Sequence, residues 1–348
     1  MASILENYAA STDPALHLEL ARAWLALGEY PAAIHAAEAA LLLLPEEKDD
    51  AAADTALSAH QLIHSAAAAR HDTARATRAL REGGALIVKD RHPLLWADYH
   101  TPLAEYLIEQ AHWQEADDLL GEILDIREEH AATHPAELAG ALLTWSGLLH
   151  HTAKHQGAHD VARRAAEIFG AISPPNMTGQ AAAWSNQGSA LHHLGRHAEA
   201  EPLYRRALGI DEASYGPEHP DVARDLNNLA ALLQATNRLA EAEPLMERVV
   251  SIFETAYGPE HPKVATALNN LATLLHNTNR YAEAEPLMRR ALGIDEASYG
   301  PEHPDVARDL NNLAWLLQNT NRHAEAEPLY RRALGIDEAS YGPEHPDV

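Results

Sequence analysis

Tyr215-Gly216-Pro217-Glu218-His219-Pro220 returns letter for letter from Tyr257, Tyr299 and Tyr341, each copy 42 residues after the one before. Self-similarity at a fixed period of this size marks a stack of small structural units, each unable to bury its apolar face without its neighbours. Two other phrases keep the same step: Asn-Asn-Leu-Ala from Asn227, Asn269 and Asn311, and Ala-Glu-Ala-Glu-Pro from Ala198, Ala240, Ala282 and Ala324. The run Arg205 to Ala230 recurs unchanged as Arg289 to Ala314. Near-identical copies argue against catalysis within them, because an acid, a base and a nucleophile need different surroundings to acquire different pKa values.

The unit Pro220 to His261 spells out its own local structure. His219-Pro220-Asp221 predicts a helix start, since proline loses nothing in the first turn and an early carboxylate suits the positive end of the helix dipole. Leu226, Leu229, Ala230 and Leu233 then fall on one helical face, helix A. Thr236-Asn237-Arg238 breaks that face, and Ala242, Leu245, Met246, Val249, Val250 and Phe253 build a second one, helix B. Tyr257-Gly258-Pro259 closes helix B through a glycine cap and a proline that prevents continuation. Pro244, with Pro202, Pro286 and Pro328, falls about one turn inside this second helix, so the spacing predicts either a late start or a kink there.

These residues resemble the tetratricopeptide repeat, in the 42-residue form of kinesin light chains and many bacterial arrays. The resemblance rests on Asn-Asn-Leu-Ala, on Asn-Arg-x-Ala-Glu-Ala-Glu-Pro-Leu, on Arg-Arg-Ala-Leu and on Gly-Pro-Glu-His-Pro. Upstream the phrases decay while the spacing persists, with His92-Pro93 and His134-Pro135 again 42 apart and Ser173-Pro174-Pro175 in the place of the next linker. Pro14 to Pro45 resembles the shorter 34-residue repeat through Trp24, Gly28, Tyr30, Ala33, Ala40 and Pro45. Three stretches follow: 1–50, a 34-residue-type repeat; 51–177, divergent helical repeats; and 178–348, near-identical 42-residue repeats. The expected fold is all-α, a solenoid of about eight antiparallel helix pairs, and the resemblance implies that it winds as a right-handed superhelix. At Val348 the sequence stops where another helix A would begin, which predicts an exposed apolar side on the last helix.

Composition narrows the function. Among the 348 residues, 51 acids against 26 lysines and arginines give a net charge of −25, a field that repels phosphate backbones and anionic lipid. Nucleic acid and membranes are therefore not the expected partners. With no cysteine, disulfides and thiolate metal sites are excluded, which fits a reducing compartment. Met1 to Pro14 lacks a basic leader and Ala39 to Leu44 is too short to span a bilayer, so the expected location is the cytoplasm.

The binding surface is expected on helix A. At about 100° per residue, Arg224, Asn227, Asn228, Ala231, Gln234 and Ala235 lie opposite the leucine face. The next unit places Thr266, Asn269, Asn270, Thr273, His276 and Asn277 there, and the one after it Arg308, Asn311, Asn312, Trp315, Gln318 and Asn319. No carboxylate occurs among these positions in a chain rich in acids. Amides donate and accept, so such a ribbon pairs with an extended peptide backbone whatever its side chains; the family resemblance implies the same, a peptide held in the groove lined by A helices. Arg224 and Arg308 point to an acidic or C-terminal carboxylate group on that ligand. The alternative use of the asparagines is hydrogen bonding between neighbouring helices, with the Asn228 type the more structural. Upstream the arc carries Ser185, Asn186, Ser189, His192 and His193, then Leu143 and Thr144 in one unit and Thr101, Glu105 and Glu109 in another.

No metal site or cofactor is expected. His60/His64 and His155/His159 have helical i, i+4 spacing, but alignment puts His155 in a turn and no third ligand is evident. Linker histidines such as His219, His261 and His303 are expected to cap helix A. Catalytic motifs are missing: there is no Gly-x-Ser-x-Gly, His-Glu-x-x-His, phosphate-loop lysine or cysteine. Gly83-Gly84 reads as a helix end. The expected function is a non-enzymatic scaffold that binds a segment of a partner protein. Its alternatives are a self-associating array, the recognition part of a larger signalling ATPase or protease system, and an enzyme with its site in the first 177 residues.

Overall fold

A computed structural model describes residues 11–45, 50–70 and 72–341. The leader reading at Met1 to Ala10 and the fourth linker copy from Gly342 onward lie outside the described residues. All regular structure among the described residues is helical, sixteen helices in eight pairs. They divide into two compact units, Met1–Pro174 and Pro175–Val348.

The first unit holds α1 (Pro14–Ala26), α2 (Tyr30–Leu42), α3 (Asp50–Ala68), α4 (Thr73–Gly84), α5 (Pro93–Glu109), α6 (Trp113–Glu129), α7 (Pro135–His151) and α8 (His155–Ala171). Its core is alanine-rich, with Ala33, Ala37, Ala40, Ala56, Ala59, Ala66, Ala76 and Ala79 buried. Small side chains let helices approach closely. Gly83 shows how closely, because a Cβ there would sit 2.0 Å from the Tyr99 hydroxyl of α5. His155, expected in a turn, is instead the first residue of α8; the turn before it is Thr152 to Lys154.

The second unit holds α9 (Met177–His193), α10 (His197–Tyr215), α11 (Pro220–Ala235), α12 (Leu239–Tyr257), α13 (Pro262–Asn277), α14 (Tyr281–Tyr299), α15 (Pro304–Asn319) and α16 (His323–Tyr341). Odd-numbered members are the A helices and even-numbered the B helices. Leu226, Leu229, Ala230 and Leu233 are all buried, as their spacing requires. Leu232 is buried as well, because an A helix packs against its own B helix and the preceding one at once. One continuous core runs through the repeats, built from Leu229, Leu232 and Leu233 and their equivalents Leu271, Leu274, Leu275, Leu313, Leu316 and Leu317.

The recurring linker has a mechanical reason for each residue. Gly216, Gly258 and Gly300 cap their B helices with φ between 86° and 89° and extended ψ, a conformation only glycine adopts without strain. The following proline carbonyl accepts from an arginine of the next B helix: Arg248 on Pro217, Arg290 on Pro259 and Arg332 on Pro301, at 2.6 to 2.9 Å. His219, His261 and His303 accept at Nδ1 from the backbone N–H two residues on, at 3.2 Å, capping the A helix. Their rings stack on Tyr215, Tyr257 and Tyr299.

The B helices do not start late. α12 begins at Leu239, so Pro244 is its sixth residue, and Pro202, Pro286 and Pro328 sit likewise inside their helices. Each removes one backbone hydrogen bond near the helix N-terminus. Charge-assisted contacts support that first turn: Arg238 joins Glu241 of its own helix and Glu201 of the preceding B helix, both at 2.7 Å, and Arg280 and Arg322 repeat the pattern.

Candidate binding cleft on the A helices

Four of the expected groove residues meet in one place. Arg224 and Asn227 of α11 and Thr266 and Asn270 of α13 line a cleft of about 410 Å³, together with Pro220, Asp221 and Lys263. Val249, Phe253 and Tyr257 of α12 and Ala267 of α13 supply its apolar wall. Asn270 Nδ2 donates to Asn227 Oδ1 at 3.0 Å, tying the two A helices together across the opening. α9 packs directly on α11, and α13 on α15, whereas α11 and α13 touch more thinly and leave room for the cleft.

This cleft exists where the repeats differ. Asp211 of α10 and Asp225 of α11 are buried neighbours, and 84 residues on Asp295 and Asp309 form the same pair. At the intermediate step both carboxyls are replaced together, by Phe253 and Ala267, and the arginine beside them by Thr266. Lys263 likewise stands where Asp221 and Asp305 stand in the sister repeats.

The alternation decides what each asparagine does. Asn269 is 5% exposed and donates from Nδ2 to Asp309 Oδ1 at 2.7 Å, and Ser185 gives Asp225 the same contact, also at 2.7 Å. Asn227 faces Ala267 at the equivalent step, has no carboxylate there to bind, and is half-buried at the cleft. Asn269 is therefore a seam residue, whereas Asn227 is half-buried at the cleft and accepts from Asn270.

Other expected positions distribute as follows. His276 is buried, meets Asn319 Nδ2 at Nε2 at 2.8 Å and carries the Trp315 ring at a centroid distance of 3.5 Å, leaving Trp315 39% exposed. Burial lowers the His276 pKa, so it is neutral at pH 7. Thr273 turns its hydroxyl onto the Asn269 carbonyl at 2.8 Å. Gln234 and Gln318 lean back on their own B helices, Gln234 toward Met246 Sδ at 3.7 Å and Gln318 accepting from the Tyr330 hydroxyl at 3.0 Å. Asn228, Asn311 and Asn312 are half-buried.

Arg224 and Arg308 are less available than the sequence implies. Arg308 lies 2.6 Å from Asp305, 3.3 Å from Asp295 and 3.3 Å from Asp309. Arg224 faces Asp221, Asp211 and Asp225 more loosely, at 3.7 to 4.0 Å. The arc itself carries no carboxylate, as counted, but the flanking helix faces bring three to each guanidinium. Lys263 is the cation left over: its Nζ sits 4.7 Å over the Tyr257 ring, and among the described residues no carboxylate lies within 4.0 Å of it.

In the first unit, Glu105 and Glu109 line a cavity of about 460 Å³ with His64, Thr73, Pro102 and Tyr106. Burial, reinforced by Glu109, raises the Glu105 pKa. His60 and His64 lie one turn apart on α3, with His60 buried.

The comparisons with known proteins bear on the repeat fold. The tetratricopeptide repeat model matches residues 179–255, 226–297 and 263–339. No curated protein matches the sequence. Among solved structures, BtubC (BKLC) from P. vanneervenii is 21% identical with a TM-score of 0.57, covering 70% of this chain and 94% of its own. A P. anserina protein described as a kinesin light chain with nearly identical TPR-like repeats is 22% identical, TM-score 0.52, covering 60% and 99%. A Rap protein complexed with competence and sporulation factor is 15% identical, TM-score 0.58, covering 94% and 98%. With the helix pairs, the linkers recurring every 42 residues and the family match in agreement, residues 179–339 are an array of tetratricopeptide repeats, similar in fold to kinesin-light-chain-like arrays.

Proposed function

We propose that the second unit is a non-enzymatic scaffold whose A helices hold an extended segment of a partner protein, centred on the cleft between α11 and α13. The observation that carries this reading is the convergence of Arg224, Asn227, Thr266 and Asn270 on an apolar-walled opening. Amides at the rim serve a peptide backbone, and Val249, Phe253 and Ala267 receive a side chain from it. Trp315, with Asn311 and Asn312, extends the surface along the next A helix. Asn269 and His276 act from behind, fixing the neighbouring repeat. Binding by a repeat protein of this fold has precedent in the Rap protein complexed with competence and sporulation factor.

An acidic or carboxylate-ended ligand is served here by Lys263 more than by Arg224 and Arg308, whose charges already face three aspartates each. Among the described residues no helix is long and apolar enough to cross a membrane; with no cysteine in the chain, the cytoplasm is the location this reading favours. The test is affinity measurement on a partner obtained by pull-down, with Asn227→Ala/Asn270→Ala and a matched Asn237→Ala control in the turn. Loss of at least tenfold in the double variant alone, with the circular dichroism spectrum unchanged, is expected. Equal affinity for all three proteins would remove the cleft from the account.

A further inference from the structure

Each aspartate pair of the second unit contains more negative charge than its surroundings compensate. Asp225 and Asp309 are fully buried, and Asp211 and Asp295 are 3% and 1% exposed. Facing Asp309 are Asp295 of α14, Asn269 of α13, and Arg308 of its own helix; Asp305 and His303 act on the same group through Asp295. Facing Asp225 are Asp211 of α10, Ser185 of α9 and Arg224, with Asp221 and His219 acting through Asp211. One guanidinium is thus shared by two buried carboxyls and a third at the surface.

The unpartnered atoms are informative. In each pair one oxygen of each carboxyl accepts from, or lies near, a donor, and the other has none: Asp211 Oδ1 and Asp225 Oδ2, then Asp295 Oδ1 and Asp309 Oδ2. The two carboxyls of a pair are within hydrogen-bonding reach of one another. Two adjacent buried anions, each with a bare oxygen, are strongly unfavourable, and one proton between them relieves both the repulsion and the missing contact.

We propose that Asp211–Asp225 and Asp295–Asp309 each take up one shared proton as the pH falls below neutrality, so that these two seams between repeats tighten on acidification while the Phe253–Ala267 seam between them does not respond. The concerted replacement of both acids at the middle step supports this: there, neither carboxyl is kept without the other. Burial pushes Asp225 up to about 6 and Asp309 up to about 7, in keeping with a proton taken up at or just below neutral pH. The sign follows. The folded chain binds these protons more tightly than the unfolded chain, so stability falls as pH rises from about 4 toward 7, by roughly tenfold in the folding equilibrium constant per pH unit for each proton.

The experiment is a carboxyl-carbon NMR titration of aspartate-labelled protein, joined to urea unfolding from pH 5 to 8. Two aspartate resonances titrating above pH 5.5, and stability declining from pH 5 to about 7 and levelling off above it, are expected. Asp225→Asn/Asp309→Asn, which supplies a permanent donor to each partner acid, should abolish the decline. Aspartates that all titrate below pH 5, or wild-type stability that stays flat, would overturn the proposal, and both readings come from the wild-type protein even if the variant fails to fold.

Discussion

Introducing the acid pair into the seam that lacks it tests how the repeats are held together. Ala267 is 3% exposed and lines the cleft, so Ala267→Asp fits sterically and places a carboxylate opposite Asn227, the donor equivalent to Asn269. In the sister seam, burial moves Asp309 from an ordinary 3.8 to about 7 even with Arg308 and Asn269 beside it. A shift of about three units corresponds to about 4 kcal/mol at pH 7. Ala267→Asp alone, lacking the arginine, should cost at least that. Phe253→Asp should cost about 3 kcal/mol through lost apolar burial and a second lone charge. Thr266→Arg alone lies on an exposed position and should stay within about 0.5 kcal/mol. The triple variant should then be at least about 2 kcal/mol more stable than the sum of its parts, because it rebuilds the Asp–Arg–Asp cluster whole. Urea unfolding followed by far-UV circular dichroism measures this, with unchanged slopes confirming that the same surface unfolds. At pH 5 the Ala267→Asp loss should shrink, since the buried acid then keeps its proton. Additivity within about 0.5 kcal/mol would refute the reasoning.

Three further predictions rest on independent features. Ala111 and Ala153 occupy the left-handed turn position that Gly195 fills, and glycine also at Gly28, with φ of 58° and 56°; Ala111→Gly or Ala153→Gly should raise stability by about 1 kcal/mol, read as a higher denaturant midpoint. Gly83→Ala should destabilise the first unit by about 1–3 kcal/mol despite alanine's better helix propensity, since its Cβ meets the buried Tyr99 side chain, and thermal melts would show it. Arg127 is 4% exposed and paired with the exposed Asp98 at 2.5 Å, so Asp98→Ala should cost about 1–2 kcal/mol at pH 7 in denaturant unfolding.

The helix pairs were legible because their signals are local. His219-Pro220, Asn237 at φ 59° and Gly258 at φ 89° each act within one turn of chain, and a 42-residue period repeats them until they are unmistakable. The partners of Arg224 and Arg308 were not legible. Their carboxylates come partly from the neighbouring B helix, which helical-wheel placement of one A helix does not include. For the same reason Asn227, Asn269 and Asn311 read as one ladder, although Asn269 is committed to Asp309 across the seam. The signal that separates them was present at longer range: Asp211 and Asp225 recur after 84 residues and vanish together at Phe253 and Ala267. Pro244 misled because intrinsic propensity argues against it inside a helix, whereas packing of Ala242, Met246 and Val249 carries α12 through it.

The most direct test of the central claim is photo-crosslinking with benzoylphenylalanine placed at Thr266 on the cleft rim and, separately, at Glu247 on the exposed side of α12. Mass spectrometry of the crosslinked product should find the partner segment attached at position 266 and not at 247. Attachment at 247 alone would contradict a binding surface on the A helices.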